Sequence, residues 1–172
     1  MSRPLLAAVL LGVGLVTGAH AVDAPGPEGT FALDRAASDD VKAAVDRAAG
    51  KFNFVLRPFA RSRLTKANPV PQKVRIAYTA ADVSVQLDGA PPLVAPRDGH
   101  KVTWKRDDGA SFELTAHLEG GVLRQSFKGD DGERTNVYRL RPDGKLAMEV
   151  TLTSPRLDKP LTYTLVYGRT TP

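Results

Sequence analysis

Residues 111–153, SFELTAHLEGGVLRQSFKGDDGERTNVYRLRPDGKLAMEVTLT, decide the fold of this 172-residue chain. Apolar and polar residues alternate here in successive runs, and a two-residue period is typical of half-buried β-strands. The runs are separated by the turn-forming pairs Gly120-Gly121, Asp131-Gly132 and Asp143-Gly144. Such pairs between alternating runs are the strongest short-range signal of a β-hairpin. The stretch therefore predicts consecutive antiparallel strands, each paired with the next.

The two-residue period extends along most of the chain on both sides of this stretch. Further alternating runs lie at residues 29–34, 74–78, 83–87, 93–94, 102–104 and 161–169. An inward apolar face on nearly every run predicts a mainly β fold, an antiparallel up-and-down β-barrel of about 8–10 strands, because closure removes the exposed sheet edges. A two-sheet sandwich is the alternative, since short strands at this spacing serve both architectures.

One segment, residues 39–64, changes to the three-and-four residue spacing of an amphipathic helix. Its apolar stripe consists of Val41, Ala44, Val45, Ala48, Phe52, Val55 and Phe59. Asp39 and Asp40 supply carboxylates that can cap the start of a helix. Pro58 interrupts the segment because proline lacks an N–H and clashes with the preceding turn. The segment predicts two short helices, or one kinked helix, ending near Leu64.

The N-terminus has the pattern of a cleavable secretory signal peptide over residues 1–21. Arg3 precedes an apolar run at residues 5–16, and Ala19 and Ala21 are the small residues that signal peptidase requires. The apolar run is about 12 residues long, whereas a membrane-spanning helix needs roughly 20. The pattern therefore predicts export rather than a membrane anchor.

Cleavage after Ala21 would leave a flexible segment at residues 22–28 and one barrel domain at residues 29–172. We expect the mature protein to be periplasmic or secreted. The chain has no cysteine, so we expect neither a disulfide nor a lipid attached at the cleavage site. We expect a monomer that is held together by its apolar core alone.

The positive charge of the chain is concentrated in the helical region. Residues 42–75 contain nine Lys and Arg residues and a single acid, Asp46. The basic residues that we assign to a helical surface are Lys51, Arg57, Arg61, Arg63 and Lys66. Such a field attracts an anionic ligand or an anionic membrane surface, although basic side chains on a helix also serve simply to solvate it. Nucleic acid is not expected as a partner, because aromatic residues do not form a stacking platform among these charges.

The sequence contains no catalytic motif. There is no cysteine, and His100 and His117 are the only histidines after the predicted cleavage site, without the spacing of a metal site. Paired carboxylates such as Asp130-Asp131 lie in turns, where aspartate has a local backbone role. We therefore expect no enzymatic activity, no metal ion and no cofactor.

The order of elements, one strand, a helical pair and then a long meander of strands, resembles the fatty-acid-binding-protein type of the calycin, or lipocalin-like, barrels. In those barrels a helix-turn-helix follows the first strand and caps the barrel mouth. The closing stretch, residues 138–169, is similar to the end of bacterial exported lipocalin-like domains. The resemblance implies a barrel that carries a small apolar or amphipathic ligand.

Two positions depart from the patterns of that superfamily. Phe31, in Gly29-Thr30-Phe31, stands where lipocalins usually carry the tryptophan of a Gly-x-Trp. The nearest match to the Arg-x-Tyr of fatty-acid-binding proteins is reversed, Tyr167-Gly168-Arg169, and lies at the end of the chain. The carboxylate site of those proteins therefore cannot be transferred residue by residue.

Several polar residues share the inward parity of the predicted strands, and we assign them as candidate ligand-binding residues. They are Gln125, Arg134, Asn136, Tyr138, Tyr163, Tyr167 and Arg169. A buried polar group must find a partner. These residues therefore either bind one another in a filled barrel or orient a ligand in a cavity.

The sequence thus supports two functions. The first is an exported carrier or binding protein for a small apolar or amphipathic ligand, which can be anionic, held in the barrel. The alternative is a structural or interaction module of the cell envelope, with a filled barrel and a basic helical docking surface.

Overall fold

The computed structural model describes residues 26–106 and 108–170. The predicted signal peptide, its cleavage site after Ala21 and the first residues of the predicted flexible segment lie outside these ranges. The helices are α1 (Val41–Ala49) and α2 (Arg57–Ala67). The strands are β1 (Gly29–Leu33), β2 (Lys73–Tyr78), β3 (Asp82–Leu87), β4 (Leu93–Pro96), β5 (Val102–Lys105), β6 (Ser111–Glu119), β7 (Val122–Gly129), β8 (Gly132–Leu140), β9 (Leu146–Thr153) and β10 (Leu161–Arg169).

The strands form one antiparallel sheet in the order β4-β3-β2-β1-β10-β9-β8-β7-β6-β5. From β5 to β10 every strand pairs with its neighbour in sequence, as the hairpin turns predict. The first and last strands also pair, with Phe31 opposite Arg169. The sheet curls into a nearly closed barrel, so the predicted up-and-down barrel is confirmed and the sandwich alternative is wrong.

The barrel closes where one stretch of chain changes its hydrogen-bonding partner. Pro96, the last residue of β4, is still opposite Asp82 of β3. The backbone carbonyl of Arg97 then accepts from Leu118 N of β6 at 3.0 Å, and Gly99 N donates to Ala116 O of the same strand at 2.9 Å. Residues 97–99 therefore connect the two ends of the sheet, although β4 and β5 do not pair with each other.

Helix α1 follows the sequence prediction closely. Asp40 is its N-cap, and its carboxylate oxygen Oδ1 accepts a hydrogen bond from Ala43 N at 3.0 Å. Val41, Ala44 and Val45 of the predicted stripe are buried. The apolar face of α1 thus contributes to the barrel core, which is how an amphipathic helix obtains most of its stability.

The second half of the predicted stripe is wrong. Helix α1 ends before Gly50, and α2 begins anew with Pro58 in its first turn, where a missing N–H costs nothing. Val55 lies in the turn between the helices and Phe59 in the first turn of α2, and both side chains point to solvent, 70% and 69% exposed. Within α2, which runs three residues past the expected end to Ala67, only Leu64 is buried.

The inward side chains of the strands fill the barrel. Phe31, Val74, Leu123 and Leu146 leave no accessible surface, and Leu114 retains 1%. Side chains that faced a water-filled cavity would keep accessible surface, so the interior is closely packed at these positions. No helix in the described ranges is long and apolar enough to cross a membrane.

Candidate functional site

A row of polar side chains runs through the packed interior along β8 and β7. Arg134, Asn136 and Tyr138 occupy alternate positions of β8, and Gln125 of β7 lies directly opposite Asn136. We call these four residues the polar column. Arg134 Nε donates to Asn136 Oδ1 at 2.9 Å, and Asn136 Nδ2 donates to the Tyr138 hydroxyl at 3.3 Å. The Tyr138 hydroxyl is directed at Gln125 Oε1, 3.5 Å away.

The guanidinium of Arg134 ties the polar column to the helical pair. Its Nη1 donates to the carbonyl of Ala67 at 2.9 Å and to Asn68 Oδ1 at 3.1 Å, and its Nη2 donates to the Tyr163 hydroxyl at 3.2 Å. Ala67 is the last residue of α2. Because the C-terminal carbonyls of a helix carry partial negative charge, this end of α2 attracts the cation.

Asn68 completes this junction and was not among the residues predicted from the sequence. Its side chain is buried, with Nδ2 donating to the Leu64 carbonyl at 2.7 Å and Oδ1 accepting from Arg134 and from the Tyr163 hydroxyl. The sequence predicts only that a helix ends at Asn68, before Pro69, because Asn is common at helix ends. It does not indicate that the Asn68 side chain is buried.

Arg134 has no acidic partner in the described part of the chain. The ion pairs found there join other residues, and all four acceptors of Arg134 are neutral oxygens. A partly buried cation is normally paired. The site therefore carries a positive charge that an anionic group could neutralise.

The opposite end of the polar column carries an unsatisfied donor. Gln125 is 1% exposed, and its Nε2 has no hydrogen-bond partner among the described residues. Leaving such a buried donor unpaired costs about 1–3 kcal/mol. An acceptor atom placed beside Gln125 would recover this free energy.

The tyrosines around the polar column are neutral donors at physiological pH. Burial raises the pKa of the Tyr138 hydroxyl to about 12, although Arg134 and the hydrogen bond from Asn136 oppose this shift. Burial likewise raises the pKa of Tyr163 and of Tyr167. Arg134 therefore remains the only formal charge at this site in the described structure.

Two predicted site residues lie apart from the polar column. Tyr167 is fully buried, but its hydroxyl is directed at the sulfur of Met148, 3.9 Å away, rather than at the column. Arg169 is exposed at the end of β10, and its guanidinium lies 4.9 Å from the centre of the Phe31 ring. The structure thus brings together Gln125, Arg134, Asn136, Tyr138 and Tyr163 of the predicted set.

Comparison with solved structures identifies the architecture. The REP1-NXSQ fatty acid transporter is 17% identical and superposes with a TM-score of 0.56, covering 84% of this chain and 96% of its own. A point mutant of the fluorescent protein UnaG is 19% identical with a TM-score of 0.53 and the same coverage of both chains. The protein has a calycin barrel fold. No family model matches the sequence, and none of the curated proteins compared matches it.

The fatty-acid-binding-protein type of calycin barrel, expected from the order of elements, is therefore confirmed as a fold. In this calycin barrel the helical pair lies over the Arg134 end of the polar column, because Arg134 bonds directly to the end of α2. Two open grooves lie elsewhere, on the outer face of β2 and β3, and outward-facing residues such as Arg75 and Gln86 line them. These grooves do not include residues of the polar column.

The predicted basic surface of the calycin barrel is present on the helical pair. We call its five exposed residues the basic collar: Lys51, Arg57, Arg61, Arg63 and Lys66. Arg61 Nε pairs with Asp46 Oδ1 at 2.7 Å, and Arg57 Nη2 bonds to the carbonyls of Gly50 and Phe52 at 3.3 and 3.4 Å. Hydrogen bonding from Lys42, with the charge of Arg61, lowers the pKa of the Asp46 carboxyl.

The segment that carries the collar also carries an exposed apolar feature that the sequence pattern did not predict. Four large apolar side chains are exposed between α1 and the first turn of α2: Phe54, Val55, Leu56 and Phe59. We call them the apolar tip. The predicted buried stripe wrongly included Val55 and Phe59, and neither Phe54 nor Leu56 was assigned a role from the sequence.

Proposed function

We propose that the protein is an exported, non-enzymatic carrier of a small amphipathic ligand that binds inside the barrel beneath the helical pair. The polar column is the observation that carries this proposal. It offers an unneutralised cation at Arg134 and an unpaired donor at Gln125, both within the barrel. A ligand with an anionic or hydrogen-bond-accepting head group and an apolar body matches these features. A fatty acid transporter shares the fold.

Binding requires the packed interior to open, and the helical pair offers the route. Helix α2 buries only Leu64. Burying one leucine stabilises a protein by about 1.5–3 kcal/mol, so α2 also depends on its polar contacts, which join Ala67 to Arg134 and Arg61 to Asp46. An anionic head group that binds Arg134 would replace the Ala67 and Asn68 oxygens. Ligand entry and release of α2 would then be coupled.

The test is uptake of a fluorescent long-chain fatty acid by the chain that begins at Val22. We expect saturable binding that unlabelled fatty acid reverses. Arg134→Gln should weaken binding by about tenfold or more, because hydrogen bonds to charged groups contribute about 1.5–3 kcal/mol. Arg169→Gln is the matched control, since Arg169 is exposed and distant from the column.

Gln125→Met provides a second variant if Arg134→Gln unfolds. It removes the unpaired donor from the interior and should weaken binding without loss of the fold. If the protein takes up no probe, and native mass spectrometry of material from its own source shows no retained molecule, the carrier proposal is wrong.

The second candidate function is an interaction module of the cell envelope, and the packed interior favours it. Tyr138, Tyr167 and Leu123 leave no accessible surface inside the barrel. In this function the barrel is a rigid scaffold, and the helical pair with its basic collar binds an anionic partner. Salt-sensitive association without ligand uptake would distinguish this function from the carrier.

Export and the monomeric state belong to the proposal as well. Export rests on the N-terminal pattern of Arg3, the apolar run and the small residues before Val22. N-terminal sequencing of protein from the periplasm or medium should begin at Val22. Analytical ultracentrifugation of that material should give the mass of one chain.

A further inference from the structure

The hydrogen bonds of the polar column run in one direction. Arg134 has only N–H donors, so its Nε bonds to the oxygen of the Asn136 amide, Oδ1, at 2.9 Å. The Asn136 nitrogen is thereby turned towards Tyr138 and donates to that hydroxyl at 3.3 Å. The Tyr138 hydroxyl proton is in turn directed at Gln125 Oε1, 3.5 Å away. The cation at one end therefore sets the orientation of each group that follows it.

The group that remains at the far end of the polar column is a donor. Gln125 Oε1 faces Tyr138, whereas Gln125 Nε2 is buried and has no partner among the described residues. The residues opposite Gln125 on the neighbouring strands are Asn136 of β8 and Ala116 of β6. The Asn136 oxygen is directed at Arg134, and the Ala116 side chain has no polar atom. The barrel interior therefore presents an N–H group, and not an oxygen, to an occupant.

Arg134 and Gln125 lie at different depths in the barrel. Arg134 bonds to Ala67 at the end of α2, on the side of the helical pair. Gln125 lies opposite Asn136, two residues farther along β8. Two residues of an antiparallel strand span about 7 Å, the length of about six bonds in an extended chain. The interior thus offers a cation and a neutral donor that are separated by the length of a short alkyl chain.

We propose that the ligand of the barrel is an oxo acid, a long-chain carboxylic acid with a ketone about six bonds from its carboxylate. The carboxylate neutralises Arg134, and the ketone oxygen accepts from Gln125 Nε2. An unsubstituted fatty acid would place a methylene group beside that buried donor and leave it unpaired. A site that is built to bind a polar group disfavours the analogue that lacks it. The inference rests on the proposed carrier function and narrows its ligand to one chemical class.

The test is competition with the fluorescent fatty acid for the chain that begins at Val22. The competitors are octadecanoic acid, the derivative with a ketone about six bonds from the carboxylate, which we call the near-ketone acid, and the isomer with the ketone next to the methyl end. We expect the near-ketone acid to bind about tenfold more tightly than the other two, because it alone pairs the buried donor.

This preference should disappear when Gln125 loses its amide. Gln125→Met should bind the near-ketone acid and octadecanoic acid equally, because its interior has no unpaired donor. Gln86→Met is the matched control. Gln86 lies on the outer face of β3, where its Nε2 donates to the Ala90 carbonyl at 2.9 Å. The Gln86→Met variant should therefore keep the preference of the unmodified protein.

Infrared spectroscopy of the bound near-ketone acid, isotope-labelled at the ketone carbon, reports the hydrogen bond directly. A hydrogen bond to a carbonyl oxygen lowers the stretching frequency of that carbonyl. We expect the ketone band at a lower frequency in the unmodified protein than in an apolar solvent, and a return to the apolar value in Gln125→Met. If Gln125→Met fails to fold, the band of the unmodified protein still tests the inference.

Equal binding of all the competitors, or an unshifted ketone band, would overturn this inference and leave the carrier proposal intact. A preference for the near-ketone acid that persists in Gln125→Met would overturn it too, since the donor to the ketone would then lie elsewhere. If the protein binds neither the fluorescent probe nor any competitor, the carrier proposal fails and this inference fails with it.

Discussion

The barrel interior and the helical pair depart from ordinary burial in opposite directions. Inside the barrel, Arg134, Asn136 and Gln125 lie where apolar residues usually pack. On the helical pair, Phe54 and Phe59 lie in solvent, where polar residues usually stand. Globular proteins keep few buried polar groups unpaired and few contiguous apolar groups exposed, because both cost free energy or solubility. Each of the two regions therefore costs the folded protein stability or solubility.

Helix α2 connects these two departures. Its first turn carries Phe59, and its last residue, Ala67, accepts a hydrogen bond from Arg134. The rest of the barrel follows the usual rules, with apolar side chains such as Val85 and Leu165 inside. Real proteins most often break the rule of apolar residues inside and polar residues outside at functional sites. Here both exceptions to that rule involve the same helix, α2.

The largest expected effect in this comparison comes from removing the cation of the interior. Arg134→Met leaves the Ala67 carbonyl and Asn136 Oδ1 without their donor. We expect it to lower the free energy of unfolding by about 2–4 kcal/mol, since buried acceptors would lose charge-assisted hydrogen bonds. Urea denaturation measures this change. Arg169→Met is the control and should cost less than about 1 kcal/mol, because Arg169 is exposed and a cation–π contact at an exposed site contributes about 0.5–1 kcal/mol. Equal costs would show that Arg134 does not hold α2.

The next effect is a loss of stability at alkaline pH. The pKa of Tyr138 is about 12 in the folded protein and 10.0 in the absence of burial. The unfolded chain therefore loses this proton first as the pH rises. The contribution of Tyr138 is complete below pH 10 and declines between pH 10 and 12, by about 1.4 kcal/mol for each pH unit.

Urea denaturation at a series of alkaline pH values measures that decline. Tyr138→Phe should remove the part of the pH dependence that corresponds to one proton. The shifts of Tyr163 and Tyr167 remain in that variant, so a smaller slope should persist. An unchanged slope would contradict the buried, neutral state assigned to the Tyr138 hydroxyl.

A smaller effect distinguishes two buried tyrosines. The Tyr163 hydroxyl accepts from Arg134 and donates to Asn68, whereas the Tyr167 hydroxyl meets only a weakly accepting sulfur. We expect Tyr163→Phe to cost about 1–2 kcal/mol and Tyr167→Phe less than about 0.5 kcal/mol in thermal or urea unfolding. The reverse order would mean that the junction with α2 contributes little to stability.

The smallest effect is expected on the helical pair itself. Phe54→Ser and Phe59→Ser should change the free energy of unfolding by no more than about 0.5 kcal/mol, because these side chains contact little of the folded protein. Leu64→Ala, at the one buried position of α2, is the contrasting variant and should cost about 2–3 kcal/mol. A large loss from the tip variants would show that the tip packs against the barrel.

Much of the fold was predictable because its signals are local. The turn Pro142-Asp143-Gly144 is an example, since Gly144 adopts a φ of 77° that only glycine takes easily. Strand periodicity likewise placed Gln125, Asn136 and Tyr138 on the inner face. The partners of those residues were not predictable. Arg134 meets Asn68, which lies 66 residues away in the chain, and no local rule selects that contact.

The sequence by itself thus determined the strands, their hairpin order and the inward parity of the polar residues, because each depends on neighbours a few positions apart. Only the tertiary structure decided that Val55, before α2, and Phe59, in its first turn, lie in solvent instead of the core. It also decided that Arg134 binds the end of α2 while Arg169 remains exposed beside Phe31. These outcomes depend on barrel closure and helix phase, which bring distant residues together and which no residue spacing encodes.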